Sequence, residues 1–366
     1  MRVVEVSPTF PPSIGGVETH VYLLSKALKA KGYDVEVFAT SPNARRNAVD
    51  RVDGLKVSRF PSIAPFDTVF YSRQMTKALQ EADVDLVHAH SFRSLPMLSA
   101  ALARRKNKFK FVVTTHLGFS KLGRVPYLLY NPVFGRMIFN RAERILLVSR
   151  QEPEALPILK RYMEKVEMIP NGIEVGDETF EEIDNLKSDG ELRLLYVGRL
   201  EKKKGVDTAI EVLKHIPDDK VTLDIVGVGE YSETLKNLVR MVKLEKRVHF
   251  HGRIDIEALA DLYHRSHILL LLSEYESFPM VIVEAMNAGV VPIATRVGDV
   301  PYEIGENGGF VVDYPVDVGK VAGIIQELNQ NRYRLKQAAQ AGWNRVREQF
   351  DMRVIARRIG AVYESL

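Results

Sequence analysis

The sequence predicts an α/β protein built from two doubly wound, mostly parallel sheets. Three observations lead there. Strand-like runs alternate with helix-like runs along the chain. Several strand runs are apolar on successive residues, as strands covered on both faces must be. The alternation lapses once, over residues 171–191, and then restarts. This is the pattern of two successive doubly wound domains.

The elements follow in order. RVVEVS reads as the first strand. The loop SPTFPPSIGGVETH (7–20) leads into VYLLSKALKAKG, whose apolar spacing is helical. DVEVFAT, LKVSRF, DLVHAH, KFVVTTH, RILLVS and VEMIP complete the strands of the first half. NGIEVGDETFEEIDNLKSDGE (171–191) is acidic, carries glycines and reads as a linker. The strands LRLLYVG, VTLDIVG, RVHFHG, HILLLLS, VVPIAT and GGFVVD then form the second half. MRVIARRIGAVYESL is an amphipathic helix. The reading is a Rossmann-like domain over 1–170 and a second over 171–350, with the helix of about 351–366 packing back on the first. Two such domains are expected to face a central cleft, because open α/β sheets bind ligands beyond their strand C-termini.

Composition narrows the class. Among 366 residues 46% are hydrophobic and 27% charged, as in soluble globular proteins. Apolar runs such as ILLLL are far shorter than a membrane span. No secretory signal is expected, because strand-like residues begin at Arg2 without an apolar h-region. The absence of cysteine excludes disulfides, thiol nucleophiles and Cys metal sites, and suits the cytoplasm. With nine histidines and no HExxH-like spacing, no metal site is expected. The net charge of +4 hides an asymmetry. Residues 1–170 hold 26 Lys+Arg against 15 Asp+Glu, and the remainder 25 against 32. A basic first half suits an anionic partner; mutual attraction of the two halves explains the asymmetry equally well.

Three stretches carry candidate chemistry. Gly15 and Gly16 stand where a helix begins. A helix N-terminus binds anions, and glycine lets a phosphate approach the backbone; a tight turn needing positive φ is the plainer explanation. The dinucleotide fingerprint GxGxxG is absent here. In LRLLYVGRLEKKKG, Arg199 follows a strand and Lys202, Lys203 and Lys204 precede Gly205. Arg supplies a fork for phosphate oxygens and Lys a point charge. In SEYESFPMVIVEAMNAG, Glu276 falls in a strand-to-helix loop and Glu284 on the first turns of the helix. Amides near Phe278, Met280 and Val281 are then free donors for a diphosphate. Glu284 lies between apolar residues, where an unpartnered carboxylate is costly.

GGVETH, VGRLEKKKG and ESFPMVIVEAMNAG, in that order, resemble a glycosyltransferase of family 4, which has the GT-B fold and retains anomeric configuration. PNGI (170–173), GVGE (227–230), FHG (250–252) and VGDVPYE (297–303) extend the likeness over roughly residues 1–350. Among such enzymes it is similar to those that glycosylate phosphatidylinositol-type lipids with mannose or N-acetylglucosamine. The resemblance implies that Gly15 and Gly16 meet the donor diphosphate together with Arg199 and Lys204. It implies that Glu276 holds the transferred sugar's hydroxyls and Glu284 the nucleotide ribose. Arg253 and Ile254 fall at the base-binding loop, and His116 beside the reacting sugar. Pro279 stands where many members have Gly, which removes one N–H.

The implied reaction moves a sugar from a UDP- or GDP-linked donor to an acceptor hydroxyl with retention, without metal or other cofactor, and with domain closure over the donor. The implied acceptor is lipid-linked, with the protein peripheral on the inner face of the cytoplasmic membrane. RRKNKFK (104–110), Lys121, Arg124, Arg136, Arg141 and Arg144 surround the apolar stretch VPYLLYNPVFGRMIF, as an anionic membrane surface would require. His90, Lys121 and Arg124 are candidate acceptor residues. A soluble sugar or sugar phosphate is the alternative acceptor, and no nucleic-acid partner is expected. A GT-B nucleotide-sugar epimerase and a non-catalytic sugar-nucleotide binder are the rival functions. A binder has no reason to keep Glu276.

Overall fold

The computed structural model describes all residues except 14, 42–44, 67–68, 118–129 and 188–189. The chain divides into two compact units, Met1–Glu174 with Asp351–Leu366, and Val175–Phe350. The sequence reading sets the first boundary slightly earlier, after residue 170.

The first unit contains β1 (Arg2–Ser7), β2 (Asp34–Ser41), β3 (Ala48–Val52), β4 (Leu55–Pro61), β5 (Ile63–Phe66), β6 (Val69–Tyr71), β7 (Leu86–His90), β8 (Lys110–Thr114), β9 (Arg144–Leu147) and β10 (Val166–Met168). Eight of them form one sheet in the order β10-β9-β8-β7-β1-β2-β4-β3. Every neighbouring pair is parallel except β3 and β4. β5 and β6 form a separate antiparallel ribbon. The central strands are buried throughout, as the LVHAH of β7 illustrates. β3 is an addition to the sequence reading. Its AVDRV is almost wholly exposed at the sheet edge, so it lacks the apolar signature of a buried strand.

The helix Met352–Glu364 belongs to this unit. Met352, Ile355, Ala356, Ile359, Val362 and Tyr363 lie on one face and pack with Val3, Leu24, Leu28 and Val35. Asp351 caps its start by accepting from Arg353 N at 2.7 Å.

The second unit holds β11 (Leu192–Val197), β12 (Val221–Val226), β13 (Val248–Gly252), β14 (Ile268–Leu271), β15 (Val291–Thr295) and β16 (Phe310–Val312). They form a wholly parallel sheet in the order β13-β12-β11-β14-β15-β16. The supposed linker of 171–191 carries an element of its own, the helix Phe180–Asn185. Thr179 and Glu182 form a capping box at its start, and Phe180 and Ile183 are buried. That one-and-a-half-turn helix is too short to show periodicity, but T-x-x-E before Ile183 is its legible signature.

Each sheet reverses strand order near its middle. In the first unit β1 has β2 on one side and β7 on the other; in the second, β11 has β12 and β14. At such a switch point the loops after the two strands diverge and leave a crevice. The residues of interest sit in the loops at these two places.

Candidate functional site

In the second unit the loops after β11 and β14 are laced together. Glu274 N donates to Lys203 O at 2.9 Å, and Ser273 Oγ lies 3.4 Å from Lys204 O. Gly205 makes the close approach possible. Its φ of 68° is left-handed, and a Cβ there would stand 2.1 Å from Leu272 O. On the other side of the β14 loop, Gly298 (φ 57°) would place a Cβ 2.4 Å from Glu276 O.

Between these glycines lies the central pair. Lys204 Nζ donates to both carboxylate oxygens of Glu276, at 2.8 and 2.9 Å, and Ser273 Oγ donates to Oε1 at 2.7 Å. Glu276 is 9% exposed. The resemblance gives the two residues separate duties, phosphate and sugar; the structure brings them together as one ion pair. Arg199 is turned toward Glu201, with Nη1 2.5 Å from Oε1, while Lys203 Nζ approaches the other oxygen of Glu201 at 3.2 Å. The basic turn is thus braced by carboxylates on both sides.

The helix Met280–Asn287 begins here with Pro279 at its N-cap and no side chain capping it. Phe278, Met280 and Val281 stand half-buried at this start, where the first-turn amides point out of the helix. The Phe278 ring lies edge-on to Phe350. One turn on, Glu284 accepts from the Tyr263 hydroxyl at 3.0 Å. Burial pushes the Glu284 carboxyl up, and the Tyr263 hydrogen bond opposes this in part. Arg253 is exposed and Ile254 half-buried after β13, just before Asp255 caps the helix Ile256–Arg265.

Glu303, on the quoted VGDVPYE motif, is a residue to which sequence reasoning gave no role. It is 0% exposed and neither carboxylate oxygen has a hydrogen-bond partner among the described residues. Burial, then the nearby charges of Asp299 and Glu276, push its carboxyl well above the usual range.

In the first unit Gly15 is the N-cap of the helix Gly16–Ala30 and no side chain caps that start. Its φ of 179° is extended, so the positive-φ explanation for these glycines does not hold. A Cβ on Gly16 would meet nothing within 4 Å. Internal packing therefore does not require Gly16. Glu18 folds over Gly15, its Oε1 accepting from Thr9 Oγ1 at 2.6 Å.

Strands β1 and β7, the loop after β8 and the helix Gly16–Ala30 carry a histidine cluster that sequence reasoning saw only in part. His90 Nε2 lies 2.7 Å from Glu5 Oε2, and His90 Nδ1 lies 3.1 Å from His116 Nε2. Glu5, at 0% exposure, also accepts from the Tyr363 hydroxyl at 3.0 Å. That hydroxyl is 2.6 Å from His88 Nδ1, and His88 Nε2 is 2.7 Å from Thr114 Oγ1. A carboxylate can only accept, so the partners of Glu5 donate to it. Burial alone would raise the Glu5 carboxyl; His88 and His90 outweigh it and hold it below the usual range. Burial, then the other histidines, depress His20 to about 3 and His90 to about 4, while burial, His20 and His90 depress His116 strongly. His116 carries a left-handed φ of 42°, a cost found where a side chain must point a particular way. No short-range motif joins these residues; parallel pairing of β1, β7 and β8 does.

Lys121 and Arg124 lie outside the described residues. Of the other basic residues named for an anionic surface, Arg104 pairs with Glu143 at 2.9 Å and Arg141 donates to Ala101 O at 2.9 Å. Arg105, Lys106, Lys108, Lys110 and Arg136 are exposed, as are Val133 and Phe134. No helix among the described residues is long and apolar enough to cross a membrane.

Comparison with known proteins shows the family and the fold. Residues 14–177 match the family Glycosyltransferase Family 4, and residues 177–345 match Glycosyl transferases group 1. Glycogen synthase of Mycobacterium tuberculosis is 26% identical, over 99% of this chain and 94% of its own length. A phosphatidylinositol N-acetylglucosaminyltransferase component from Arabidopsis thaliana is 25% identical, over 100% of this chain and 82% of its own. Among solved structures, Anabaena HepE in complex with UDP superposes with a TM-score of 0.77 at 21% identity, covering 100% of both chains.

Proposed function

Because the chain belongs to the family 4, group 1 glycosyltransferases and has their GT-B fold, we propose that it moves a sugar, with retention of configuration, from a nucleotide-diphosphate sugar to an acceptor hydroxyl. The observation that carries this reading is the Lys204–Glu276 pair beside the uncapped start of the helix Met280–Asn287. A carboxylate positioned by a lysine suits sugar hydroxyls. The lysine, Arg199 and free helix amides suit a diphosphate.

In this reading the bond from the anomeric carbon to the phosphate oxygen breaks. The acceptor oxygen bonds to that carbon on the same face, and the acceptor proton passes to the leaving phosphate. Charge grows on the diphosphate as the bond breaks, and Lys204, Arg199 and the amides near Met280 and Val281 oppose it. No step draws on a metal. Glu276 holds the sugar hydroxyls and Glu284 the ribose, with Tyr263 fixing the Glu284 carboxylate. Arg253 and Ile254 border the base, Gly15 and Gly16 meet the diphosphate, and His116 stands by the reacting sugar.

UDP is the nucleotide to try first, since HepE is known in complex with it. A lipid-linked acceptor is our reading, supported by the name of the Arabidopsis relative and the exposed basic residues of 105–110. It places the protein on the cytoplasmic face of an anionic membrane. The test is thermal stabilisation by UDP, GDP and ADP and their sugars, followed by turnover with the stabilising donor and a phosphatidylinositol-type acceptor. A Glu276→Gln variant that binds the nucleotide yet transfers at the wild-type rate refutes the catalytic assignment. Stabilisation by no nucleotide refutes the donor site.

A further inference from the structure

We propose that His20, His90 and His116 form a binding site for one divalent transition-metal ion, zinc foremost. One ring nitrogen from each lies within 4.8 Å of the others. The three come from a helix, the end of strand β7 and the loop after β8, separated by 70 and 26 residues in sequence, so no local spacing reveals them.

The first argument is His20. It is 4% exposed, and neither of its ring nitrogens has a hydrogen-bond partner among the described residues. A buried imidazole normally satisfies at least one nitrogen, and an unmet one costs about 1–3 kcal/mol. A leucine would pack in the same place without that cost. An ion accepting the nitrogen lone pair accounts for the residue.

The second argument is the support behind His90. Its Nε2 faces Glu5 Oε2 at 2.7 Å, so Nε2 carries the proton and Nδ1 presents its lone pair to the cluster. A histidine whose outer N–H is held by a buried carboxylate is the usual second layer of a metal site. His90 Nδ1 and His116 Nε2 already stand 3.1 Å apart. Nitrogens on a tetrahedral zinc are separated by about 3.3 Å. Closing the site therefore requires the His20 ring to approach the other two. Without metal, His116 Nε2–H donates to His90 Nδ1. On binding, that proton moves to His116 Nδ1 and both lone pairs face the ion.

The neighbouring group of Glu5, His88 and His90 also has ligand spacing. His88, however, is fully engaged by Tyr363 and Thr114, and Glu5 by His90 and Tyr363. It is satisfied without an ion. Three imidazoles and no carboxylate in contact select Zn²⁺, Co²⁺, Ni²⁺ or Cu²⁺ over Mg²⁺ or Ca²⁺. The ion would occupy His116 Nε2. On the transferase reading above, and only on it, bound metal is therefore an inhibitor.

The full-length protein, stripped with EDTA, is titrated with Co²⁺ and its visible d–d absorption followed, with Zn²⁺ as competitor. One equivalent per chain, tetrahedral in spectrum and displaced by Zn²⁺, is expected. His20→Leu and His116→Ala should each weaken binding more than about 100-fold, since loss of an outer partner alone costs 10–100-fold; Glu5→Gln should fall in that lower range. His20→Leu should melt in EDTA at or above the wild-type temperature, which separates lost binding from lost folding. Absence of a tetrahedral Co²⁺ spectrum in wild type, or His20→Leu binding as tightly as wild type, overturns the proposal.

Discussion

Lys204 Nζ contacts both carboxylate oxygens of Glu276, across 72 residues of sequence, with the two side chains only 16% and 11% exposed. Each charge depends on the other. Lys204→Met strands a carboxylate that, among the described residues, keeps Ser273 as its side-chain donor, and we expect it to lower stability by about 2 kcal/mol. Adding Glu276→Gln should restore part of that loss, because no net buried charge remains. Denaturant unfolding of the single and double variants reads this; equal melting of Lys204→Met and wild type would show the pair to be unimportant to the fold. Either single variant should reduce turnover at least about 100-fold.

Glu284 and Tyr263 offer a graded test of the ribose assignment. At 100 times its dissociation constant a nucleotide should stabilise the wild type by about 2.7 kcal/mol. Glu284→Ala should abolish this. Tyr263→Phe, which leaves the carboxylate in place without its 3.0 Å donor, should weaken binding only about 2- to 10-fold. Thermal shift against nucleotide concentration distinguishes the three proteins. Identical shifts would remove Glu284 from the site.

The two sheets were largely legible because their strands are covered on both faces. The apolar runs around Val3, Leu194 and Leu270 could hardly be anything else. What was hidden has physical causes. β3 is a polar edge strand, and the helix Phe180–Asn185 is shorter than the period that would reveal it. At the second-unit site, Arg199, Lys204, Glu276 and Glu284 could be singled out as charges beside strand ends. That Lys204 neutralises Glu276 could not, since the contact arises from the β11–β14 neighbourhood in the sheet. His20, Glu5 and Tyr363 read as ordinary helix and strand positions; the packing of two helices against the first sheet brings them together.

Glu152 gives a pH signature. It is 2% exposed, accepts from Thr115 Oγ1 and from Val148 N, and burial raises its carboxyl from 4.5 to about 7 despite those bonds. The folded protein holds this proton where the unfolded chain has lost it. Its contribution to stability is therefore full below pH 4.5 and is lost as pH rises to 7. The loss is at most about 3 kcal/mol. His20 and His90, depressed from 6.5, act in the opposite sense, losing stability as pH falls below 6.5. The difference between wild type and Glu152→Gln, measured by urea unfolding from pH 4.5 to 7.5, should isolate the Glu152 share. A difference that stays flat would contradict the raised carboxyl.

The exposed cations Arg105, Lys106, Lys108 and Lys110 should draw the protein to anionic vesicles. Replacing all four by Gln should reduce cosedimentation with phosphatidylserine vesicles at least about tenfold, and salt should do the same to the wild type. Vesicles of neutral lipid are the control. Equal binding by both proteins would send the search for a membrane contact elsewhere.

The helix that carries Tyr363 into the Glu5–His88 network has a consequence for biosynthesis. A ribosome releases residues 1–174 long before 351–366, yet the first sheet lacks its covering helix and Glu5 its Tyr363 donor until the later segment emerges. The second unit, continuous from Val175 to Phe350, can fold first although it is made second. The nascent first unit thus keeps an open apolar face while the whole of the second unit is being made. A stalled or nicked chain should be marked for chaperones by that face, and arrival of the helix Met352–Glu364 seals it.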